Sequence, residues 1–594
     1  MIRTPLRPLA SILSARDKGE NPDLIEAANI RQRMEARRDR DRQRAEIRLL
    51  VLALSFLAAF AVVGLRMGIM SASRPQEPKT ERVARDILAQ RADILDRNGA
   101  VLATNLVTNA LYAQPPMMVD KPAAARGLAA IFPDMNADRL LAEFQSSRKF
   151  IWLRRKLSPE QQQKVYDIGE PGLLFGPREM RLYPNGRLAA QILGGTSFGR
   201  QGVKSAEIIG IAGVEHSFDR FLRDPANGGA PLRLSIDLTV QAVTRRVLAG
   251  GRKLLRAKGA AAVLMDAHTG EVVSMVSLPD FDPNKRPAPR AKGDPTDDPL
   301  FNLAAQGVFE LGSVFKVFNA ALALERGVAT PQTMIDTKGP LKWAGFTIKD
   351  FHNLGPRLSL TDVIVESSNI GSANLARKIG VAPQQAFLKK LGLLKAVPLQ
   401  LAEARQARPI LPKRWSDLSA MTIAYGHGLA VSPLHLAAAY ASVLNGGTRV
   451  TPTLLKVTTP PKPGPRVVSE KTSQALRKML REVVLRGTAS MGDVPGYDVG
   501  GKTGTANKPK PGGGYYQDRT VSTFASIFPA RDPKYVLVVT LDEPVETSGP
   551  KPRRTAGWTA VPVAAEIIRR VAPLLGLRPA IDPAGTMEYT LSKY

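Results

Sequence analysis

The longest apolar run, Leu49–Leu65, has 17 residues without a charge, and after Arg66 it continues through Met67-Gly68-Ile69-Met70. Seventeen residues is the short end of a bilayer span, and Arg66 can snorkel to the headgroups to extend it. The run is apolar on every face and basic on its N-terminal flank, which predicts a membrane anchor over residues 49–70 rather than a core helix. Downstream the apolar runs shorten. Ile94-Leu95 and Val101-Leu102 flank Asn98-Gly99 and predict a β-hairpin. Ala260–Asp266 and Glu271–Leu278, separated by His268-Thr269-Gly270, predict two adjacent antiparallel strands, and Ser522–Phe528 and Tyr535–Leu541 predict two late ones. Residues 240–255 and much of 315–490 carry helical patterning. Strands early and late around a helical middle predict an α+β fold.

Polar stretches mark the joints. Residues 71–80 predict a Pro-containing link, and 282–298, 458–466 and 507–518 predict exposed loops, the last a mobile rim for whatever cleft lies beside it. Residues 1–48 show little apolar periodicity and predict a flexible tail that can carry a helix next to the membrane. The resulting division is a tail (1–48), an anchor (49–70), a second region (71–230), a third region (231–575) and a C-terminal tail (576–594). No period of 20–50 residues repeats, which excludes solenoids and propellers.

Charge adds a direction. Eight arginines lie between residues 31 and 48, so the positive-inside rule keeps the N-terminus in the cytoplasm and exports the bulk of the chain. The formal net charge of +30 is scattered, without a nucleic-acid module, and fits anionic headgroups or a carboxylate-rich polymer instead. No nucleic-acid partner is expected. The absence of cysteine excludes disulfides and thiolate chemistry, and the five histidines show no metal-ligand spacing, so neither a metal nor another cofactor is expected.

Three motifs carry the chemistry. Ser313-Val314-Phe315-Lys316 follows Gly312 and opens a long apolar helix, so a lysine three residues on can reach the serine hydroxyl. The helix N-terminus favours developing negative charge on Ser313 Oγ. Lys316 acts as its base only when neutral, a state promoted by burial and by a second cation such as Lys502. Two other S-x-x-K matches fail on context: Ser548-Gly549-Pro550-Lys551 cannot form a helical turn, and Ser146–Lys149 has no partner motif after it. Ser367-Ser368-Asn369 supplies a hydroxyl that can relay a proton to a leaving amine (Ser367) and an amide that can hold a peptide carbonyl (Asn369). Ser372-Ala373-Asn374 is a decoy deeper in the following helix. Lys502-Thr503-Gly504-Thr505 reads as a strand in which Gly504 lets a ligand lie along the backbone, while Lys502, Thr503 and Thr505 bind a terminal carboxylate.

In this order the motifs are the signature of penicillin-binding proteins and class A β-lactamases. The chain resembles class B penicillin-binding proteins from the anchor to about residue 570, and within them the division-specific, monofunctional septal transpeptidases, whose Ser-Ser-Asn sequence matches Ser367–Asn369. Leu311 and Val314 depart from the residues usual beside the serine.

The resemblance implies a penicillin-binding or serine β-lactamase-like transpeptidase domain, a central antiparallel sheet with helices. It implies that this domain stands on an elongated, dimerisation-like pedestal. The Arg181-Leu182-Tyr183-Pro184-Asn185-Gly186 and Gly210–Asp219 segments are then pedestal motifs with a buried Arg–Glu contact. It further implies an oxyanion hole from the backbone N–H groups of Ser313 and Thr505. The implied substrates are D-alanyl-D-alanine stem peptides and their lipid-linked precursor, the implied inhibitors β-lactams, and the implied partners a membrane glycosyltransferase and other division proteins. An elongation-type transpeptidase, a D,D-carboxypeptidase and a non-catalytic penicillin-binding sensor stay open as alternatives.

Overall fold

The structure, a computed structural model, describes residues 7–72, 91–198 and 208–580. The expected link at 71–80 and the C-terminal tail fall largely outside these residues. The chain divides into two compact units, residues 1–88 and 89–594.

The first unit holds helices α1 (Arg7–Asp17) and α2 (Pro22–Ala72). The expected flexible tail is therefore helical from its first described residues. Ala, Arg, Gln and Glu, which dominate residues 25–48, are strong helix formers, and an Arg42–Glu46 ion pair of 3.1 Å adds an i,i+4 contact. At 1.5 Å per residue the 51 residues of α2 extend about 75 Å, so the apolar stretch forms only its second half. Among the described residues this is the one helix long and apolar enough to cross a membrane, and none of its apolar window is buried. It is a candidate single-pass anchor.

The second unit begins with the predicted hairpin. Strand β1 (Ile94–Leu95) pairs antiparallel with β2 (Val101–Ala113), Ile94 opposite Ala103. The turn spans five residues rather than two, because Asp96 Oδ1 accepts from the N–H groups of both Asn98 (2.8 Å) and Ala100 (2.7 Å). Only Gly99 takes a positive φ, of 93°. Strand β3 (Ile151–Leu157) and strand β4 (Leu173–Leu182) flank β2, and β5 (Gly195–Phe198) pairs with β6 (Ile208–Ala212). Strand β7 (Leu232–Arg233) runs parallel to β1 and completes a five-stranded sheet.

The pedestal motifs meet in a buried ion cluster. Arg91 Nε lies 2.6 Å from Glu215 Oε2, Arg181 Nε 2.7 Å from Glu215 Oε1, and Arg91 Nη1 2.7 Å from Asp219 Oδ1. Each charge is paired, which offsets its desolvation and makes the cluster a joint that fixes three segments in one arrangement. Ile94, Leu102, Ile192 and Val214 belong to the same continuous hydrophobic core as the third region, whereas Leu111, Leu128 and Phe144 anchor a separate, smaller core further along the pedestal.

The third region opens with α3 (Leu238–Leu254), capped by Asp237, whose side chain accepts from Val240 N–H. Strands β8 (Gly259–Asp266) and β9 (Val272–Leu278) form the predicted hairpin and are almost wholly buried. The helical middle supplies α4 (Lys316–Glu325), α5 (Leu360–Val365), α6 (Asn369–Ile379), α7 (Pro433–Leu444) and α8 (Glu470–Arg486). Strands β10 (Gly500–Pro509), β11 (Tyr515–Phe528) and β12 (Tyr535–Asp542) follow, then α9 (Ala560–Leu574). The central sheet has the order β10-β11-β12-β8-β9, antiparallel throughout. Strands buried along their length need cover on both faces. Helices α3 and α9 pack on each other and on the sheet, and the fully buried α7 packs on β8 and β12.

The predicted loop at 507–518 is instead the tip of the β10–β11 hairpin, with Asn507 opposite Thr520 and Pro509 opposite Tyr515. Cross-strand pairing carries the first strand through Lys508 and Pro509 and leaves only residues 510–514 to turn.

Candidate active site

Each predicted motif comes from a different element, and the sheet edge brings them together. Lys502 lies on the edge strand β10, Ser313 in a 3-10 turn (Gly312–Phe315) leading into α4, and Ser367-Ser368-Asn369 at the junction of α5 and α6. Ser368 is the N-cap of α6: its side chain accepts from Gly371 N–H at 2.9 Å. Ser367, one residue earlier, has φ = 62°. A non-glycine residue held in this left-handed region is strained by about 1–3 kcal/mol, a cost met with at functional corners. The result is that the Ser367 carbonyl and hydroxyl both aim at Lys316.

The lysine amines converge on that hydroxyl. Lys316 Nζ donates to Ser367 O (2.5 Å) and Asn369 Oδ1 (2.8 Å) and lies 3.0 Å from Ser367 Oγ. Lys502 Nζ reaches the same Oγ at 2.9 Å and donates to Thr503 O at 3.2 Å. Ser367 Oγ therefore bridges two amines, a continuous path for a proton. Half-buried Ser313 precedes Lys316 by three residues, in the turn that leads into α4. Among the described residues no hydrogen bond joins Ser313 Oγ to Lys316, whose amine is spent on the 367–369 turn. Asn369 is likewise engaged, with Oδ1 on Lys316 and Nδ2 donating to Lys349 O at 3.0 Å.

The serine turn is braced by backbone contact. Gly312 has φ = 64°, which makes the kink without a proline. A Cβ on Gly504 would meet Leu311 O at 2.1 Å, so the approach of the serine turn by itself requires a glycine here. Buried Leu311 and Val314 anchor the turn, and Val314 O accepts from Tyr440 OH at 2.8 Å. Thr503 Oγ1 faces inward, 2.7 Å from Thr488 Oγ1, while half-buried Thr505 accepts from Ala556 N–H at 2.9 Å. The Cβ position of Gly312 lies 3.0 Å from Thr505 N, which places the backbones of the serine turn and Thr505 side by side.

Both lysines are fully buried. Burial, and next the Lys502 charge, push the Lys316 amine well below the ordinary lysine value, with Asp350 opposing. Burial alone lowers Lys502 to about 7. The native state therefore binds fewer protons than the unfolded chain between pH 7 and the ordinary lysine pKa, and stability rises with pH across that window. The slope is at most about 1.4 kcal/mol per pH unit for each lysine. Urea midpoints measured at pH 7 and pH 9 are expected to rise more for the native chain than for Lys502→Met; equal gains would refute the depressed value.

Asp350 is the positioning residue that the motifs missed. Its Oδ2 accepts from Ser368 Oγ (2.7 Å) and its Oδ1 from the N–H groups of Asn369 (2.5 Å) and Ile370 (3.0 Å), so it pins the start of α6. No motif marks it, because it arrives from a loop after the short strand Phe346–Ile348. The decoys lie elsewhere: Ser372 Oγ donates to Ser368 O inside α6, and exposed Ser146 caps the C-terminus of the pedestal helix Ala137–Gln145. Gly496–Thr503 also fits the spacing of a phosphate loop, G-x-x-x-x-G-K-T. Its lysine, however, sits within a paired strand and no helix follows, so the phosphate-cradling geometry is missing.

Residues 260–569 match the penicillin binding protein transpeptidase domain and residues 86–229 the penicillin-binding protein dimerisation domain. The probable peptidoglycan D,D-transpeptidase FtsI of Caulobacter vibrioides is 36% identical, with 93% of this chain and 92% of that one covered. The peptidoglycan D,D-transpeptidase FtsI of Escherichia coli is 30% identical over 83% and 86%. Among solved structures, penicillin binding protein 3 of Mycobacterium tuberculosis complexed with aztreonam superposes with a TM-score of 0.61 at 26% identity, covering 83% of this chain and 97% of that one. The chain belongs to the penicillin-binding protein transpeptidase family, and it carries both the dimerisation and the transpeptidase domain.

Proposed function

We propose that this chain is a monofunctional peptidoglycan D,D-transpeptidase of the septal type, inhibited by β-lactams. The carrying observation is the Lys316–Ser367–Lys502 bridge behind Ser313. Neutral Lys316 takes the Ser313 proton as Oγ attacks the penultimate D-alanine carbonyl of a stem peptide. Ser367 passes a proton to the departing D-alanine amine, and the Ser313 and Thr505 N–H groups hold the oxyanion. Lys502 and Thr505 receive the terminal carboxylate. An amine of a second stem peptide then displaces Ser313 and closes the cross-link, and a β-lactam acylates the same serine.

In this reading the domains divide as 1–48 cytoplasmic, 49–70 anchor, 71–230 pedestal, 231–575 transpeptidase and 576–594 tail. The arginines before the anchor keep the N-terminus in the cytoplasm and place the catalytic domain in the periplasm. A lipid-linked glycan polymer must be supplied by a separate membrane glycosyltransferase and organised by other division proteins. Mass spectrometry of the penicillin-treated chain is expected to place one adduct on Ser313, and an adduct on any other residue overturns the assignment. Depletion giving filaments rather than round cells is the result expected of a septal enzyme.

A further inference from the structure

A second group of polar side chains borders the serine turn without taking part in the acylation chemistry. Residues 309–312 run antiparallel to 426–431: Phe309 and Val431 exchange both backbone hydrogen bonds, and Gly312 N–H donates to Gly426 O at 3.2 Å. The strands are so close that a Cβ on Gly426 would lie 1.8 Å from Gly312 O. Gly428 N–H donates to Glu310 Oε1 at 2.7 Å, and Tyr515 OH, from the sheet hairpin, donates to both carboxylate oxygens at 3.2 and 3.0 Å. His427 sits among these groups, with ring centroids 5.5 Å from Tyr425 and 5.8 Å from Tyr515. Its Nδ1 is buried without a hydrogen-bond partner. A fixed carboxylate thus stands three residues before the nucleophile, and an imidazole with a buried, unpartnered nitrogen follows Gly426, whose carbonyl accepts from the N–H of Gly312, the residue just before the nucleophile.

An acyl-enzyme that passes its acyl group to an amine needs two things that the lysine bridge does not supply. The acceptor arrives as an ammonium, which two lysines driven towards neutrality do not attract, and it must lose a proton before its nitrogen can attack. Resting on the transpeptidase reading above, we propose that Glu310 draws the cationic acceptor amine to the Ser313 ester and that His427 takes its first proton. The neutral nitrogen then bonds to the acyl carbon and the bond to Ser313 Oγ breaks. The second amine proton passes through Lys316 to Oγ, and His427 returns its own to water. No electrons change hands. The groups facing His427 suit the role. Burial first, and the nearby Lys316 charge, lower its pKa from the usual histidine value so that it stands ready as a neutral base, while Glu310 and the Tyr425 carbonyl oppose and steady the imidazolium. The Tyr425 and Tyr515 hydroxyls are both raised, by burial and then by Glu310, and stay protonated.

The test uses the full chain in detergent micelles, a thioester donor to form the acyl-enzyme, and D-alaninamide as the acceptor amine. The readout is the ratio of aminolysis to hydrolysis products, which reports on the fate of the acyl-enzyme whatever the rate of its formation. His427→Asn is expected to lower this ratio at least tenfold and to abolish its rise with pH on the acid side of neutrality. Glu310→Gln is expected to raise the half-saturating concentration of D-alaninamide several-fold, with a smaller change in the ratio at saturation. If either substitution slows acylation but leaves the ratio, its acceptor dependence and its pH profile as in the native chain, the residues brace the turn and the proposal fails. A native chain that forms no ester at Ser313 would instead overturn the transpeptidase reading itself.

Discussion

Replacing Lys316 by methionine is expected to slow acylation of Ser313 by a fluorescent penicillin by about 100-fold to 10,000-fold, the range that a positioned general base contributes. Methionine keeps an unbranched buried chain in place of the lysine stem and removes only the amine. The protein is expected to stay folded, because two effects on stability oppose each other. Folding no longer has to strip a proton from a lysine that the core forces towards neutrality. Against this, Ser367 O and Asn369 Oδ1 each lose a donor and Ser367 Oγ loses one of its two amine partners. An acylation rate within tenfold of native, at an unchanged melting temperature, would show that another group accepts the serine proton.

Gly504→Ala is the second large effect, and it acts through shape. The added Cβ would fall 2.1 Å from Leu311 O and 3.2 Å from Val314 N, both backbone atoms of the serine turn. Backbone cannot rotate away as a side chain can, so the turn must move relative to β10. Overpacking of this kind costs about 1–3 kcal/mol of stability. A displacement near 1 Å between nucleophile and base costs about 100-fold in rate. Urea unfolding and penicillin acylation, measured together, should show both losses. Gly512→Ala at the hairpin tip, where a Cβ meets nothing within 4 Å, is the control and should show neither.

Some of this arrangement was legible along the chain because its information is local. Apolar runs of the right length and composition located the candidate anchor helix, the paired strands and the apolar helix that follows Ser313. Asn98-Gly99 marked a turn, although Asp96 set its length through side-chain hydrogen bonds that composition does not reveal. The three motifs pointed to acyl-transfer chemistry, since each is a short pattern of residue types suited to it.

The tertiary structure decided what those residues do to one another. The aim of Ser367 at Lys316 rests on a left-handed backbone at the corner between α5 and α6, and the constraint on Gly504 on a turn that arrives from nearly two hundred residues away. The contacts of Asp350, Glu310 and His427 became visible only when loops from separate segments met at the edge of the sheet. Periodicity tells a residue which face it occupies. Which groups share a face with it, how dry that face is and therefore where its proton resides follow from packing between distant segments.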